Sequence, residues 1–435
     1  MRGTRSHVFA LASIVLASCS DAPAISPAPD AAVAGCGNGA VDTGEVCDGG
    51  TAECAALGAS WTSGVATCRA SCRGWDVSAC TLASPGSFET VKPAERDAAF
   101  ATARCNDGTP FDFHVRLAPG GSREWVILLE GGVYCDDATL LCSDRAAKER
   151  YRITTSSTDR ALEPIPQKGI LSVDPDTNPR FATANLVHAH YCSSDFWSGT
   201  TTERRPSTGD PASGWYFSGR ANVQALFAML AQRYGLDDGD PALRVLFGGT
   251  SAGAFGAHFN LAHAAEVLPA TRAGGRLFLF LDAGWMVDWD DPSARIFTAT
   301  VRDREVWRGA RTFWAGRFDP ACEAAASDPM DCWFGPGWYP HVSRRVPVLV
   351  QQSSLDASFG IQLHALEPGK PSARAWREQL TSSLAGVDRL FSGSTPYHVL
   401  STDDATWTTT GPAGSKLRDV VGRFFDAGPA ERVVF

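Results

Sequence analysis

The sequence predicts an α/β fold, with helices on both faces of a mostly parallel sheet, preceded by a small disulfide-rich module. Apolar runs of strand length alternate with amphipathic stretches from about residue 85 onward. A glycine-flanked serine, Ser251, stands between one such run and a helix-compatible stretch. The 13 cysteines include six between residues 36 and 80 and six between residues 105 and 332, which indicates two parts of the chain.

The N-terminus has the features of a secretory signal, which we predict over residues 1–18. Two arginines precede an apolar run at residues 8–17, which is too short to span a bilayer. The run ends in Leu-Ala-Ser-Cys, which is typical of a bacterial lipoprotein cleavage site, so Cys19 is expected to carry a lipid anchor. The alternative is ordinary cleavage a few residues later, which would discard Cys19. Residues 19–35 are mostly Ala, Pro, Ser and Asp and predict a flexible tether.

Residues 36–80 predict a module in which disulfides replace the hydrophobic core that so short a segment cannot build. Without Cys19 the cysteine count is even, and an even count in an exported chain indicates disulfides. Cys68 and Cys72 could suggest a metal site, but no suitably spaced histidine accompanies them, so disulfides are favoured. The module resembles short cysteine-rich repeats of secreted bacterial proteins, with their C-G-N-G and E-x-C-D signatures. A spacer or an attachment module is the simplest function for it.

The main domain is predicted over residues 85–435. Strands are expected at the apolar runs 125–129, 186–187, 243–247, 277–281 and 346–350, with a last short one at 390–391. Amphipathic helices are expected at residues 223–234, after the elbow serine, and at 417–425. In such sheets the site lies at the carboxyl ends of the strands. Residues 141–165 and 295–345 carry no clear strand signal and are expected to form pocket walls.

The segment Gly249-Thr250-Ser251-Ala252-Gly253 has the strand–turn–helix context of a nucleophile elbow. The turn lifts the serine oxygen above the sheet edge. The flanking glycines are needed because the neighbouring backbones leave no room for a Cβ atom. The alternative is a small-residue turn that only lets a helix pack on the sheet.

A nucleophilic serine needs a base, and the base needs an orienting acid. In α/β-hydrolases these follow in the order Ser, acid, His. His398 comes after the last predicted strand and is favoured as the base over His364, which lies only a few residues past Asp356. Asp356 follows the penultimate strand and is favoured as the acid. Asp282 is its rival, or else a carboxylate that anchors a loop.

The oxyanion of the reaction needs hydrogen-bond donors. The backbone N–H of Ala252 is one candidate, and the segment containing Gly132 and Val133 after an early strand supplies the others. Glu130, just before that segment, is interpreted as a structural carboxylate that holds the loop. Such chemistry requires no metal and no cofactor.

Together these residues resemble the pectin acetylesterase family, which includes plant pectin acetylesterases and the animal Wnt deacylase Notum. The resemblance runs from about Cys105 to the last helix and is carried by segments 129–135, 191–199, 249–253 and 282–285. It implies a catalytic triad of Ser251, Asp356 and His398. It also implies the disulfides Cys105–Cys192, Cys135–Cys142 and Cys322–Cys332, whereas six cysteines alone allow fifteen connectivities.

The resemblance implies a secreted serine carboxylic-ester hydrolase, and an exported, tethered enzyme is expected to remove O-acetyl groups from a polysaccharide. Val133, Ala254 and the residues before Asp356 depart from the family pattern and leave the acyl group open. The alternatives are a deacylase of longer acyl esters and a non-catalytic surface binding protein. The residues expected to line the pocket are Tyr134, Trp285, Met286, Trp333 and Phe334.

The charge of the chain limits its partners. The formal net charge is −9 and the sequence has no basic block, so nucleic acid is not expected to bind. The same charge mildly repels acidic polymers at long range, which weighs against pectin as a substrate. An acylated carbohydrate or another ester is the expected partner, and the only expected membrane contact is the lipid on Cys19.

Overall fold

A computed structural model describes residues 35–42, 45–58, 60–84, 86–136, 138–143, 155–157, 167–206, 214–289, 303–359, 369–409, 411 and 414–434. The predicted signal, Cys19, most of the tether and His364 lie outside these residues. No helix within the described ranges is long and apolar enough to cross a membrane.

The described residues form fourteen strands, twelve α-helices and four short 3₁₀-helices. The strands are β1 Thr51–Glu53, β2 Trp61–Ser63, β3 Val65–Cys68, β4 Trp75–Asp76, β5 Thr81–Leu82, β6 Glu89–Val91, β7 Phe113–Arg116, β8 Glu124–Leu129, β9 Asn185–Ala189, β10 Arg244–Thr250, β11 Leu277–Asp282, β12 Val348–Gln351, β13 Leu390–Ser392 and β14 Arg432–Val434. The α-helices are α1 Cys54–Leu57, α2 Pro93–Arg96, α3 Gly219–Arg233, α4 Ala252–Phe259, α5 Leu261–Val267, α6 Pro269–Ala273, α7 Asp303–Trp314, α8 Pro320–Ala325, α9 Gly335–Val342, α10 Pro371–Ser383, α11 Asp404–Thr408 and α12 Leu417–Phe425. The 3₁₀-helices are Ala98–Phe100, Gly169–Leu171, Pro329–Trp333 and Leu384–Gly386.

A nine-stranded sheet forms the centre of the main domain, in the order β14-β13-β12-β11-β10-β8-β9-β7-β6. Every pair from β14 to β9 is parallel, and β7 and β6 are added antiparallel at one edge. The prediction of a mostly parallel α/β sheet is confirmed. The sheet continues past the last predicted strand, because β14 returns after α12 to pair with β13.

Hydrophobic layers cover both faces of the central strands, which explains why these strands are continuous apolar runs. Along β10, Val245 and Phe247 enter a large first core layer, while Leu246 enters a smaller second layer on the other face. The first layer contains residues of α3 and α4, and the second contains residues of α11 and α12. This arrangement leaves the carboxyl ends of β8, β10, β11 and β12 side by side.

The cysteine-rich segment is held by three disulfides, Cys36–Cys72, Cys47–Cys68 and Cys54–Cys80. It contains two small sheets, β1-β3-β4 and β2-β5. The indole Nε1 of Trp61 donates to the carbonyl of Arg233 at the end of α3 (2.9 Å), and Trp61 belongs to the first core layer. The segment is therefore packed against the main domain, while its boundaries as a separate domain stay a prediction.

Candidate active site

The turn between β10 and α4 holds Ser251 in a strained backbone conformation, with φ 52° and ψ −120°. Its N–H donates to the carbonyl of Asp282 at the end of the neighbouring strand (2.7 Å). A Cβ atom on Gly249 would collide with the backbone of Gly253, and one on Gly253 would collide with the carbonyl of Leu129. Glycine is therefore required on both sides of the serine, as the elbow interpretation predicts.

Ser251, His398 and Asp356 form a continuous hydrogen-bonded chain. The Ser251 hydroxyl lies 2.8 Å from Nε2 of His398, and Nδ1 of His398 lies 2.7 Å from Oδ2 of Asp356. Asp356 is buried and receives two further hydrogen bonds, from Nε2 of Gln352 (2.9 Å) and from the N–H of Phe359 (3.0 Å). These donors fix the position of the carboxylate that contacts His398. Gln352 was not singled out by the sequence pattern.

The imidazole of His398 has a raised pKa. Burial alone would lower that pKa, but the charge of Asp356 and its hydrogen bond oppose burial, and the charge of Asp282 adds to them. The net shift is upward from 6.5, since the carboxylates outweigh the loss of solvent. The ring of Phe359 packs edge-on against the imidazole, with centroids 4.6 Å apart. This environment favours a histidine that accepts a proton readily.

Asp282, the alternative candidate for the acid, contacts the loop that follows His398. Its buried carboxylate accepts hydrogen bonds from the backbone N–H groups of Leu400 and Ser401 and from the Ser401 hydroxyl. Burial raises the pKa of Asp282 to about 6, although these hydrogen bonds oppose the shift. The carboxylate thus anchors the loop that follows His398, which is the alternative role that the sequence left open for it.

The loop after β8 lies directly against the serine turn. The N–H of Gly131 donates to the Thr250 hydroxyl (3.1 Å), and a Cβ atom on Gly131 would meet the Thr250 carbonyl and Ser251. Within the described residues, no acceptor is found for the backbone N–H groups of Gly132, Val133 and Ala252. These three N–H groups are the candidate oxyanion donors that the sequence suggests.

Glu130 fastens this loop to the neighbouring strand. Its Oε2 accepts a hydrogen bond from the N–H of Tyr191 (2.9 Å), and its carbonyl accepts one from Nε1 of Trp197 (3.1 Å). The ring of Tyr191 in turn packs where a Cβ atom on Gly132 would lie. These contacts agree with the interpretation of Glu130 as a structural carboxylate.

A cavity of about 370 Å³ opens onto Ser251 and His398. Its apolar wall is formed by Tyr134, Phe196, Met286, Trp307 and Phe359. Its polar side includes Glu130, His188 and Thr402. The serine therefore lies in a cavity that has an aromatic wall and several polar lining residues.

The family of the chain follows from comparison with known proteins. The model of the pectinacetylesterase family matches residues 91–383, well over half of the chain. The chain belongs to the pectinacetylesterase family. The matched segment begins after the cysteine-rich module, so the resemblance of residues 36–80 to bacterial repeats stays a prediction.

Relatives of this pectinacetylesterase-family chain include palmitoleoyl-protein carboxylesterases. The NOTUM protein of Drosophila melanogaster is 30% identical over 306 residues, which cover 68% of this chain and 42% of the relative. The NOTUM protein of Homo sapiens is 31% identical over 261 residues, 58% of this chain and 48% of the relative. The chain thus spans about half the length of the curated relatives that it matches.

A solved structure of the Wnt deacylase Notum from Drosophila superimposes with a TM-score of 0.66 and 27% identity. The alignment covers 80% of this chain and 96% of that structure. The α/β-hydrolase architecture of this family member is therefore shared with the Notum structure.

Three residues expected in the pocket lie behind its wall in this family member. Trp333 stacks on Trp307 (centroids 4.5 Å apart) and contacts Phe196 edge-on, so these two rings separate it from the cavity. Phe334 packs beneath the guanidinium of Arg304 (5.2 Å). The expectation for Trp333 and Phe334 is wrong because aromatic side chains fill the wall in two layers.

Trp285 is the third correction, although its neighbour Met286 lines the cavity. The Trp285 indole donates to the Ser383 hydroxyl (2.8 Å) and packs edge-on against Trp338. Trp285 is therefore buried in the core behind the cavity.

Two wall residues, Phe196 and Trp307, were not identified from the sequence. Phe196 lies in a loop held by the buried Asp195, whose carboxylate accepts hydrogen bonds from the N–H groups of Trp197 and Gly219 (2.9 Å each). Burial raises the pKa of Asp195 to about 6, opposed by these bonds. Phe196 has a positive φ of 53°. In the sequence, Phe196 lies in segment 191–199, which carries the family resemblance. Trp307 lies in residues 295–345, which are expected to form pocket walls. These positions are the signals that could have identified the two residues.

The family member contains three disulfides in its main domain. They are Cys105–Cys192, Cys135–Cys142 and Cys322–Cys332, the pairs that the resemblance implies. Cys135 directly follows the loop with the free N–H groups, and Cys192 precedes the loop with Phe196. Two of the three disulfides therefore constrain the walls of the cavity.

Proposed function

We propose that this protein is a serine carboxylic-ester hydrolase, with Ser251 as nucleophile, His398 as base and Asp356 as the acid that orients His398. The observation that carries the proposal is the hydrogen-bonded chain of these three residues at the cavity, at distances of 2.8 and 2.7 Å. The names of the matched family and of its relatives are those of ester hydrolases, which supports it.

In the proposed reaction, His398 takes the Ser251 proton as the serine oxygen attacks the ester carbonyl. The N–H groups of Gly132, Val133 and Ala252 stabilise the oxyanion, each such donor being worth about 10²–10³ in rate. The protonated His398 then gives its proton to the departing alcohol, and an acyl-serine remains. Water, activated by the same histidine, releases the acid and restores the serine.

For the acyl group, we propose a chain longer than acetyl. The cavity has a total volume of about 370 Å³, and its wall includes Phe196, Met286 and Trp307, so an acetyl group would fill only a small part of it. Each buried methylene contributes about 0.8 kcal/mol, or roughly a fourfold gain in kcat/KM. Removal of O-acetyl groups from a polysaccharide remains the second candidate, favoured by the name of the family.

The test compares 4-nitrophenyl acetate, butyrate and octanoate on the purified protein, with Ser251→Ala as the matched variant. The expected result is that kcat/KM rises from acetate to octanoate and that Ser251→Ala abolishes all three reactions. If kcat/KM is highest for the acetate ester, the result would instead support removal of acetyl groups. A folded wild-type protein that hydrolyses none of them, and that a fluorophosphonate probe does not label, would instead be the surface binding protein.

We also propose that the protein is exported and lipid-anchored at the bacterial cell envelope. The six disulfides of the described residues are typical of exported proteins. Residues 1–18 would be the signal peptide, Cys19 the lipidated residue, residues 19–35 the tether and residues 36–80 a spacer or attachment module. Labelling of the wild type but not of Cys19→Ser by a fatty-acid analogue tests the anchor.

A further inference from the structure

The side chain of Gln352 contacts the acid of the proposed triad in the buried part of the site. Gln352 is 0% exposed, and its Nε2 donates to Oδ2 of Asp356 (2.9 Å). The same oxygen lies 2.7 Å from Nδ1 of His398. The other oxygen, Oδ1, accepts a hydrogen bond from the N–H of Phe359 (3.0 Å). The oxygen that orients His398 is therefore also the one that Gln352 holds.

The amide of Gln352 can take only one orientation. Its Oε1 accepts a hydrogen bond from the backbone N–H of Trp285 (3.2 Å), which follows strand β11. A backbone N–H can only donate, so the amide oxygen must face Trp285 and the NH₂ group must face Asp356. The backbone N–H of Gln352 donates to the carbonyl of Phe391 in β13 (3.1 Å). Gln352 is thus bonded to segments on both sides of β12.

The two donors to Asp356 come from different parts of the structure. Phe359 lies three residues further along the same loop, so its N–H would move with that loop. Gln352 directly follows β12, and it is bonded to Trp285 and Phe391. Of the two donors, Gln352 is therefore the one that connects Asp356 to the central sheet.

A carboxylate that orients a histidine has to keep one oxygen against the imidazole N–H. Rotation about the side-chain bonds of Asp356 would move Oδ2 away from His398. The charge and the hydrogen bond of Asp356, which raise the pKa of His398, would then act more weakly. A donor fixed to the sheet opposes this rotation.

We propose that Gln352 is a positioning residue of the ester hydrolase: its amide holds Oδ2 of Asp356 in the position that orients His398. Gln352 is not among the described residues that line the cavity, so it acts through Asp356 and not on the substrate. The inference rests on the proposed serine hydrolase mechanism and adds a residue to it. Loss of the amide should therefore lower kcat and leave KM little changed.

The test compares Gln352→Met with Gln351→Met, with 4-nitrophenyl butyrate as the substrate. Gln351 is the matched control, because it is also 0% exposed and its Nε2 donates to the Ser353 hydroxyl (3.3 Å) and not to Asp356. Each variant replaces a buried amide by an apolar chain of similar length. We expect Gln352→Met to lower kcat by about tenfold to hundredfold, the worth of one hydrogen bond to a charged group. Gln351→Met should keep a kcat close to that of the wild type.

The pH–rate profile separates positioning from a loss of stability alone. Among the described residues, Asp356 and Asp282 are the groups whose charge raises the pKa of His398. Without Gln352, Asp356 should hold His398 less well, so the acid limb of kcat/KM should move to lower pH. Asp356→Asn should move that limb in the same direction and further, whereas Gln351→Met should leave it at the wild-type pH.

Urea unfolding of each variant checks that it is folded. If Gln352→Met does not fold, Gln352→Asn takes its place, since its side chain is one methylene too short to reach both Trp285 and Asp356. The positioning role is overturned if the wild type is active and the position-352 variant matches Gln351→Met in kcat or in its acid limb. It is also overturned if that limb moves to higher pH, which would mean that the amide only withdraws charge from Asp356. Failure of the wild type on every ester would remove the hydrolase assignment as well.

Discussion

Asp282 holds Ser401 through both its backbone N–H (2.7 Å) and its hydroxyl, three residues after His398. Asp282 ends β11, and its carbonyl also accepts the N–H of Ser251 (2.7 Å). One residue therefore contacts the serine turn through its backbone and the histidine loop through its side chain. This connection joins the serine turn to the histidine loop, two segments that are far apart in sequence.

Loss of the Asp282–Ser401 contact should reduce the turnover rate. We expect Ser401→Ala to lower kcat by about threefold to tenfold and the free energy of unfolding by about 1–2 kcal/mol, because a buried carboxylate loses a hydrogen-bond donor. Steady-state kinetics with 4-nitrophenyl butyrate and urea unfolding measure the two effects. Thr409→Ala is the control, since Thr409 is exposed at the end of α11 and its hydroxyl donates to the carbonyl of Ala405 in that helix. A loss of stability with an unchanged kcat would show that the contact does not position His398.

The raised pKa of His398 predicts the pH dependence of activity. The imidazole must be neutral to act as a base, so kcat/KM should rise with pH through a value above 6.5. Asp356→Asn removes the main charge that raises this pKa, so the acid limb should move to lower pH while kcat falls by about 10⁴-fold. A pH–rate profile between about pH 5 and pH 9 checks both. An acid limb below pH 6.5 in the wild type would contradict the prediction.

The raised pKa values of His398 and Asp282 should make the folded protein less stable as pH rises, whereas activity rises with pH. Because the folded pKa of His398 is raised, its contribution to stability is complete below pH 6.5 and is lost as pH rises through the folded pKa. The pKa of Asp282 is raised to about 6, so its contribution to stability is complete below pH 3.8 and is lost as pH rises to about 6. The Asp282→Asn variant should therefore lose less stability than the wild type between pH 4 and pH 6. Urea unfolding at several pH values measures the difference.

Glycine at position 131 should be essential for turnover. A Cβ atom there would press against the Thr250 carbonyl and Ser251, displacing the loop with the Gly132 and Val133 N–H groups. We expect Gly131→Ala to lower kcat by about 10²-fold or more, with KM little changed, since loss of one oxyanion donor costs about 10²–10³. Gly309→Ala on α7 is the control, because among the described residues no atom beyond the neighbouring backbone of its own helix lies within 4 Å of the added methyl group. Equal kcat values for the two variants would refute the role of the loop.

The positions of Ser251, Asp356 and His398 could be predicted because they depend on local signals. Each follows an apolar strand or a short turn, and parallel strands bring such ends to one edge of the sheet. The wall of the cavity depends instead on tertiary contacts. Phe196 lines it because Asp195 holds its loop with a positive φ, and no periodicity in the sequence reports that bond. Met286 and not Trp285 lines it because the segment after β11 lies outside any strand, so the facing of its side chains could not be counted from the pattern.

The cysteine-rich module should contribute to the stability of the whole protein. Trp61 is 7% exposed, belongs to the first core layer and donates its indole N–H to the carbonyl of Arg233. We expect Trp61→Ala to lower the free energy of unfolding by about 3–5 kcal/mol, since a large buried ring leaves a cavity. Val65→Ala, in the same module but 43% exposed, is the control and should change stability by less than about 0.5 kcal/mol. Because Trp61 packs against the end of α3, thermal unfolding of the wild type should show one transition that includes the main domain. Two separate transitions, with only the first lowered by Trp61→Ala, would show instead that the module unfolds independently of the main domain.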